Sequence, residues 1–376
     1  MKKLFTFLGA MFFMAGSALW AQEVGSSVLL QTSASQEDAT LEDGEDLIPS
    51  ISLDSRFSYD RVVSGKTAGF GGDGLYLNID GKISKNFSYS LCHNLFSARG
   101  EDDSVFDNTN WLTLSYDLGN FSFTAGKDAL VIGSFEYDAY DIDSYCDMNS
   151  LFYNSFSSYQ WGVKAMWTNK SETTSIALQV ANSPFVYAPK QENMYSYNLG
   201  WYESWDWYES IWSINFMEYA PGKYAKMLAL GNIFHIGNLS LGLDCVMHGA
   251  KLDAEGEDNF TLNFMPSYNF GDKVRLFGKF GWEYCSDELA YDFWGEYLTV
   301  DEMLATNNEN IATLPAFLIP DKDYLFYGAG VEYYPIDSVR LHAVWASNNY
   351  TSRHSVNIGV TWKFDIVKAL KHVGCK

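Results

Sequence analysis

The sequence predicts an all-β transmembrane antiparallel β-barrel of about sixteen strands, and three observations carry that prediction. From Ile51 onward apolar and polar residues alternate in run after run. Tight connections alternate with long polar ones along most of the chain. Aromatic residues make up 17% of the chain, yet beyond residue 21 no apolar stretch reaches the roughly 18 residues of a membrane helix.

The alternation comes first. Leu75, Leu77, Ile79 and Ile83 alternate with Tyr76, Asn78, Asp80 and Lys82. Val274, Leu276, Phe280, Trp282 and Tyr284 alternate with Lys273, Arg275, Lys279 and Glu283. Near the end, Val356, Ile358, Val360, Trp362 and Phe364 stand against Asn357, Thr361 and Lys363. Side chains two apart on a strand share a face, so each run has one greasy face and one wet face. A soluble sandwich also alternates. Here, however, the aromatics gather near strand ends (Tyr333-Tyr334, Trp345, Trp362), as interfacial girdles require.

The connections set the order. Lys85-Asn86, Gly119-Asn120, Gly237-Asn238 and Pro335-Ile336-Asp337 suit tight hairpins. The stretches 97–108, 129–157 and 286–323 are long and polar. Tight turns on one side and long loops on the other are the habit of outer-membrane barrels. The predicted strands are 51–62, 74–84, 87–97, 109–118, 121–128, 158–168, 173–183, 194–203, 208–219, 225–236, 239–249, 258–269, 273–285, 324–334, 338–347 and 353–365. The region 186–224 fits least well, and fourteen or eighteen strands also match the spacing.

Around this barrel, residues 48–365, lie three flanking segments. Lys2 and Lys3, the apolar run Leu4 to Ala15 and the small residues up to Ala21 read as a cleavable signal peptide, residues 1–21. Residues 22–47 are polar and acidic, the reading being a mobile periplasmic lead-in. Residues 366–376 form a C-terminal tail. Export together with a barrel implies the outer membrane of a Gram-negative cell, with its lipid as one partner.

Composition and motifs narrow the chemistry. A net charge of −22 argues against nucleic acid, whose phosphates need Lys and Arg. Five cysteines (92, 146, 245, 285, 375) are scattered, form no CxxC pair, and allow at most one or two disulfides among those in loops. The isolated histidines form no HExxH, so no metal site and no cofactor is expected. No GxSxG elbow occurs, and the expectation is a protein that is not an enzyme. Gly69-Phe70-Gly71-Gly72-Asp73-Gly74 matches GxGxxG but precedes a strand, so it reads as a Gly-rich hairpin loop and not a dinucleotide site.

Parity turns the lumen charges inward: Arg56, Lys82, Lys164, Arg275, Lys279, Arg340 and Lys363, against Asp54, Asp60, Asp80, Asp117, Asp244, Glu283 and Glu332. On the lipid face an Arg or Lys would cost about 2–4 kcal/mol at mid-depth. A barrel of about sixteen strands cannot be filled by its own side chains, which leaves a water-filled channel. Within the connection 129–157, Glu136, Asp138, Asp141, Asp143 and Asp147 are interleaved with Tyr137, Tyr140, Tyr145 and Phe152. Folded inward, they would form a negative constriction whose field repels anions; a solvated external loop is the other reading. The spacing lacks the Gly and final Glu of a calcium loop.

The runs YLNIDGKISKNFSYSLCHNLF (76–96) and WLTLSYDLGNFSFTAGKDALVIGSFE (111–136) resemble the phosphate-selective porin O/P family. The likeness lies in the early hairpins, in the aromatic–Gly-Lys segment and in Gly133-Ser134-Phe135-Glu136, and it is clearest over residues 51–185. It implies a sixteen-stranded, trimeric diffusion porin. Phosphate selectivity in that family rests on ladders of lumen Arg and Lys. This chain has six Arg, its wall cations are matched by acids, and it runs on past Phe364 where the family ends on an aromatic. The expectation is therefore passive diffusion of small hydrophilic solutes or ions, with cations or neutral solutes preferred over phosphate. The alternatives are a non-conducting barrel that binds a ligand or partner through external loops rich in Tyr and Trp around 195–212, and a barrel-embedded lipid hydrolase.

Overall fold

The computed structural model describes residues 49–63, 68–95, 106, 108–137, 148–154, 157–185, 193–249, 259–285, 322–349 and 354–372. The signal peptide, the acidic lead-in, Cys146 and Cys375 lie outside these.

Sixteen antiparallel strands close on themselves. The first six are β1 (Ser50–Val62), β2 (Ala68–Lys82), β3 (Phe87–Asn94), β4 (Thr109–Leu118), β5 (Phe121–Ala129) and β6 (Tyr159–Thr168). Next come β7 (Thr174–Asn182), β8 (Tyr195–Trp205), β9 (Tyr208–Ala220), β10 (Lys223–Ile236) and β11 (Leu239–Gly249). The last are β12 (Phe260–Phe270), β13 (Val274–Cys285), β14 (Lys322–Ile336), β15 (Val339–Asn348) and β16 (His354–Asp365). Every strand pairs with its chain neighbours, and β1 pairs with β16 from Ser52↔Asp365 to Val62↔Ser355. Closure leaves no edge, so the backbone of the wall pairs strand to strand without recourse to water, the bulges apart. Among the described residues two short helices add to this: α1 (Leu151–Asn154) between β5 and β6, and α2 (Ile366–His372) after β16.

Sixteen is the number that the alternation gives; fourteen and eighteen drop out. The region that fitted least well does so for a physical reason. β9 and β10 are joined at the long-loop end by Pro221-Gly222 alone, with Gly222 at φ 72°, so the rhythm of tight and long connections breaks there. At the opposite end the Gly-Asn turns hold: Gly119 and Gly237 both sit at φ 59°, a left-handed backbone that Gly adopts without steric cost.

Two expectations are corrected. The glycine run 69–74 is not a hairpin loop but the first half of β2, paired with β1 from Arg56↔Gly74 to Asp60↔Gly69. Asp73 is the extra residue of a bulge between those strands, and a bulge shifts the alternation by one. The Tyr- and Trp-rich stretch 195–212 is likewise not a loop. It is β8, a two-residue turn and the start of β9, with Tyr197, Leu199, Trp201 and Trp212 exposed on the outer wall.

Faces follow the parity. Leu178, Ile214, Phe216, Phe280 and Ile358 are exposed on the outside, while Ser58, Asn198, Asn215, Thr261 and Asn263 are buried inside. The main apolar core lies within the barrel. Leu130, Ile132, Leu151 and Phe152, from the connection between β5 and β6, pack on Ala181, Met217, Ala225, Met227, Ala229, Val246 and Phe326 of the wall. Burying a side chain such as Leu151 or Phe152 stabilises by roughly 1.5–3 kcal/mol.

Candidate functional site

The inward fold of the β5–β6 connection defines the site, and it is built up contact by contact. An amide ladder receives the chain as it leaves β5. Asn215 Nδ2 donates to Asn198 Oδ1 at 2.7 Å, and Asn198 Nδ2 to Gln179 Oε1 at 3.0 Å, across β9, β8 and β7. The same amides hold the incoming backbone: Gln179 Nε2 donates to Ala129 O (2.9 Å), Val131 N to Gln179 Oε1 (2.9 Å) and Asn215 Nδ2 to Val131 O (2.7 Å).

Gly133 then touches the wall. Its N–H donates to Ser213 Oγ at 2.8 Å. A Cβ at this position would stand 2.3 Å from Ser213 N and 2.5 Å from Trp212 C. Ser134 Oγ and Glu136 N both donate to Asp244 Oδ2, at 2.6 and 3.0 Å. Asp244 is thus spent on two loop donors and does not face an open channel.

Glu136 is the hub. Its Oε1 accepts from Lys279 Nζ and Ser150 N, each at 2.8 Å. Its Oε2 accepts from Ser150 Oγ (2.9 Å) and Asn263 Nδ2 (3.0 Å). The residue is 2% exposed. A carboxylate that far from water persists only when paired and hydrogen-bonded, and here it joins both ends of the loop to β12 and β13. Burial, with Glu136 and Glu283 nearby, pushes the hydroxyl of the adjacent Tyr137 well above its usual range, so it stays neutral.

The returning arm is fastened in the same manner. Phe152 N donates to Glu283 Oε2 at 3.1 Å, Thr261 Oγ1 donates to the same oxygen at 2.9 Å, and the Phe152 ring stacks on His248 at 3.8 Å. Met148 packs against Val344 and Ala346 of β15. The described loop residues therefore cover the arc from β7 to β15.

Of the predicted wall charges, Asp244, Lys279 and Glu283 thus lie beneath the loop. The others lie elsewhere on the inner wall. Arg275 and Arg340 each stand 3.6 Å from Glu332, with Tyr334 OH donating to that carboxylate at 2.9 Å. Arg56 is buried on β1. Lys164 pairs with Asp128 at 2.6 Å. Asp60 accepts from Ser58 Oγ at 2.8 Å and from Asn357. Asp54, which accepts from Asn78 at 3.1 Å, stands opposite Lys363 in the register, and Lys82 ends β2. Of the five constriction residues, Glu136 alone is described; Asp138, Asp141, Asp143 and Asp147 lie outside the described residues. The residues on either side of that stretch, Tyr137 and Met148, both belong to the packing inside the barrel.

Sequence reading missed Gln179, Asn198, Ser213, Asn215, Asp244 and Asn263 as loop anchors. Their signal is faint but real. Lumen positions facing water are polar, and Asp244 apart, the anchors on β7, β8, β9 and β12 are uncharged amides and hydroxyls, set among Ala181, Ala225, Ala229 and Gly231. Small and amide residues suit an occupant that is itself polypeptide.

No protein-family model matches the chain, and no curated protein matches it in sequence. Solved structures do match in shape. A loop-deletion mutant of OmpT, an outer membrane protein of Vibrio cholerae, superposes with a TM-score of 0.56 at 12% identity, over 85% of this chain and 100% of that one. A mutant of the Rh. blastica porin gives 0.52 at 14% identity, over 84% and 100%. The trimer form of in-vitro folded OmpT gives 0.54 at 11%, over 84% and 99%. At such identities the likeness speaks for the fold. This chain has the fold of the outer-membrane β-barrels, porins among them.

Proposed function

We propose that the protein is a passive outer-membrane channel for small hydrophilic solutes or ions, a trimer in its working form, and not an enzyme. The observation that carries this reading is the seating of the β5–β6 loop inside a closed sixteen-stranded barrel, against one arc of the wall. A barrel of this size is too wide to be filled by wall side chains. A loop fastened along one arc narrows such a lumen and leaves the other arc, from β16 through β6, with its polar residues. The porin and the trimer named among the structural neighbours support the same reading.

The preference for cations or neutral solutes over phosphate rests on charge placement. Glu332 lies between Arg275 and Arg340, and Lys164 is matched by Asp128, so these cations form no unopposed ladder of the kind that phosphate selectivity needs. The four aspartates at 138, 141, 143 and 147 are tethered at both ends by residues packed within the lumen, which supports a negative constriction. Planar-bilayer recording tests the proposal. Stepwise insertion of open, ohmic channels is the expected result, and a protein that inserts, yet never conducts, would refute it and leave the loop-binding barrel as the better reading.

A further inference from the structure

The outer wall carries a feature that conduction does not use. Across four adjacent strands, one row of outward positions is polar: Thr174 on β7, Glu203 on β8, Ser210 on β9 and Asn232 on β10, in direct register with one another. Polar groups on the lipid side are costly at mid-depth and tolerable only near the membrane surface. This row lies where the surface is expected. Glu203 is two residues from the tight β8–β9 turn, at the end of the barrel that holds the start of β1 and the end of β16. With an even strand number and the long loops on the other side, this is the periplasmic rim.

Large rings frame the row. Trp201 and Trp212 pair directly on its bilayer side, and Trp205, Trp207 and Tyr208 stand toward the turn. Four of these, Trp201, Trp205, Trp207 and Trp212, are exposed. Two of the indoles are locked onto the carboxylate. Trp201 Nε1 donates to Glu203 Oε1 at 2.8 Å, Trp205 Nε1 to Glu203 Oε2 at 2.9 Å, and Thr174 Oγ1 to the same Oε2 at 2.9 Å. Trp212 and Tyr208 both donate to Asn232 Oδ1, at 3.1 and 2.8 Å.

Among the described residues, the three partners of Glu203 are all neutral donors. A carboxylate offers about four lone-pair sites, so one remains open, and no described cation stands against the charge. Lys170, in the turn just before Thr174, makes no ion pair with Glu203. A negative charge fixed among exposed aromatic faces matches one ligand chemistry, an alkylammonium, which gains from both the carboxylate and the ring quadrupoles. At the depth of a lipid headgroup, and on a surface that lipid covers, the ammonium comes from the lipid.

We propose that Glu203, with Trp201, Trp205 and Trp212, forms a binding site for the ammonium headgroup of a phospholipid in the periplasmic leaflet. The site rests on the barrel lying in a bilayer and is independent of whether the barrel conducts. Native mass spectrometry of the full chain, refolded in detergent with equal amounts of phosphatidylethanolamine and phosphatidylglycerol of the same acyl chains, tests it. The expected result is about tenfold preferential retention of the ethanolamine lipid, the scale of one charge-assisted contact. That preference should vanish in Glu203→Gln and fall in Trp205→Leu, with channel currents unchanged. If a variant fails to fold, N-acetylation of the headgroup amine removes the same charge from the lipid, and the unmodified protein should lose its preference. Equal retention of the two lipids by the unmodified protein overturns the proposal. So does a Glu203→Gln variant that keeps the preference, or one that instead changes the number of chains in the assembly, which would make this face a protein interface. Flotation with liposomes separates failure of the site from failure of the membrane reading itself.

Discussion

Gly133 and Glu136 stand three residues apart, and each is used for what its side chain does. Gly133 lies so near the β9 backbone that any Cβ would overlap Ser213 N and Trp212 C, and backbone cannot move aside as a flexible side chain can. Gly133→Ala should therefore lift the loop from the wall while leaving the sixteen-strand ladder intact. The expected readout is a larger single-channel conductance, with unchanged gel migration of the unheated barrel. Glu136 makes the complementary case. Lys279→Met would leave its carboxylate buried without a cation, a loss of about 3 kcal/mol for a pair of this kind. Hydrogen exchange across residues 130–137 should speed up in that variant and slow again in the Lys279→Met/Glu136→Gln double variant. Equal exchange in the single and double variants would mean that the ion pair does not hold the loop.

At the scale of elements, strands were readable and the loop's seat was not. A strand declares itself locally, because greasy and wet side chains must alternate when one face meets lipid and the other water. Hence β4, β9, β11 and β16 run within one residue of the ends that the pattern predicts. Only the first half of β2, residues 68–73, escaped, because glycines have no side chain to alternate and the Asp73 bulge changes the phase. The loop is different in kind. Ser134 meets Asp244 and Glu136 meets Lys279, contacts that join residues more than a hundred positions apart and leave no periodic trace. The assignment of faces has its own test. Leu276 faces lipid but stands two residues from the start of β13, close to the rim, where a charge costs little. Phe280, exposed at the middle of the same strand, is the sharper position. Phe280→Arg should impair assembly by about 2–4 kcal/mol, whereas Arg275→Gln should assemble normally, since Arg340 still stands against Glu332. Equal defects in the two variants would invert the assignment of inside and outside.

At the scale of the whole molecule, the sign of the pore depends on which charges remain uncompensated once the pairs are made. Glu136 has Lys279, Glu332 has two arginines, and Asp128 has Lys164. Asp244 and Glu283 are spent on loop donors. The other wall charges are of both signs, Arg56, Lys82 and Lys363 against Asp54, Asp60, Asp80 and Asp117, whereas the loop adds one sign alone: Asp138, Asp141, Asp143 and Asp147, which no basic residue accompanies between Tyr137 and Met148. On the proposed reading the two roles of one acidic loop come apart: Glu136 seats the loop, and the four aspartates would set selectivity. Replacing those four with Asn should move the reversal potential in a salt gradient toward anions, with conductance in high salt little changed. The shift should be largest at 0.01 M, where screening extends about 30 Å, and nearly absent at 1 M, where it extends about 3 Å. Glu136→Gln should act in the opposite way, altering conductance through the loop's position while leaving the sign of selectivity alone. If the reversal potential responds to Glu136→Gln and ignores the four aspartates, the buried hub faces the ion path and the division of labour is wrong. If neither variant moves it while both channels conduct, the ions pass along the arc from β16 through β6, which carries Arg56, and the loop aspartates stand away from their path.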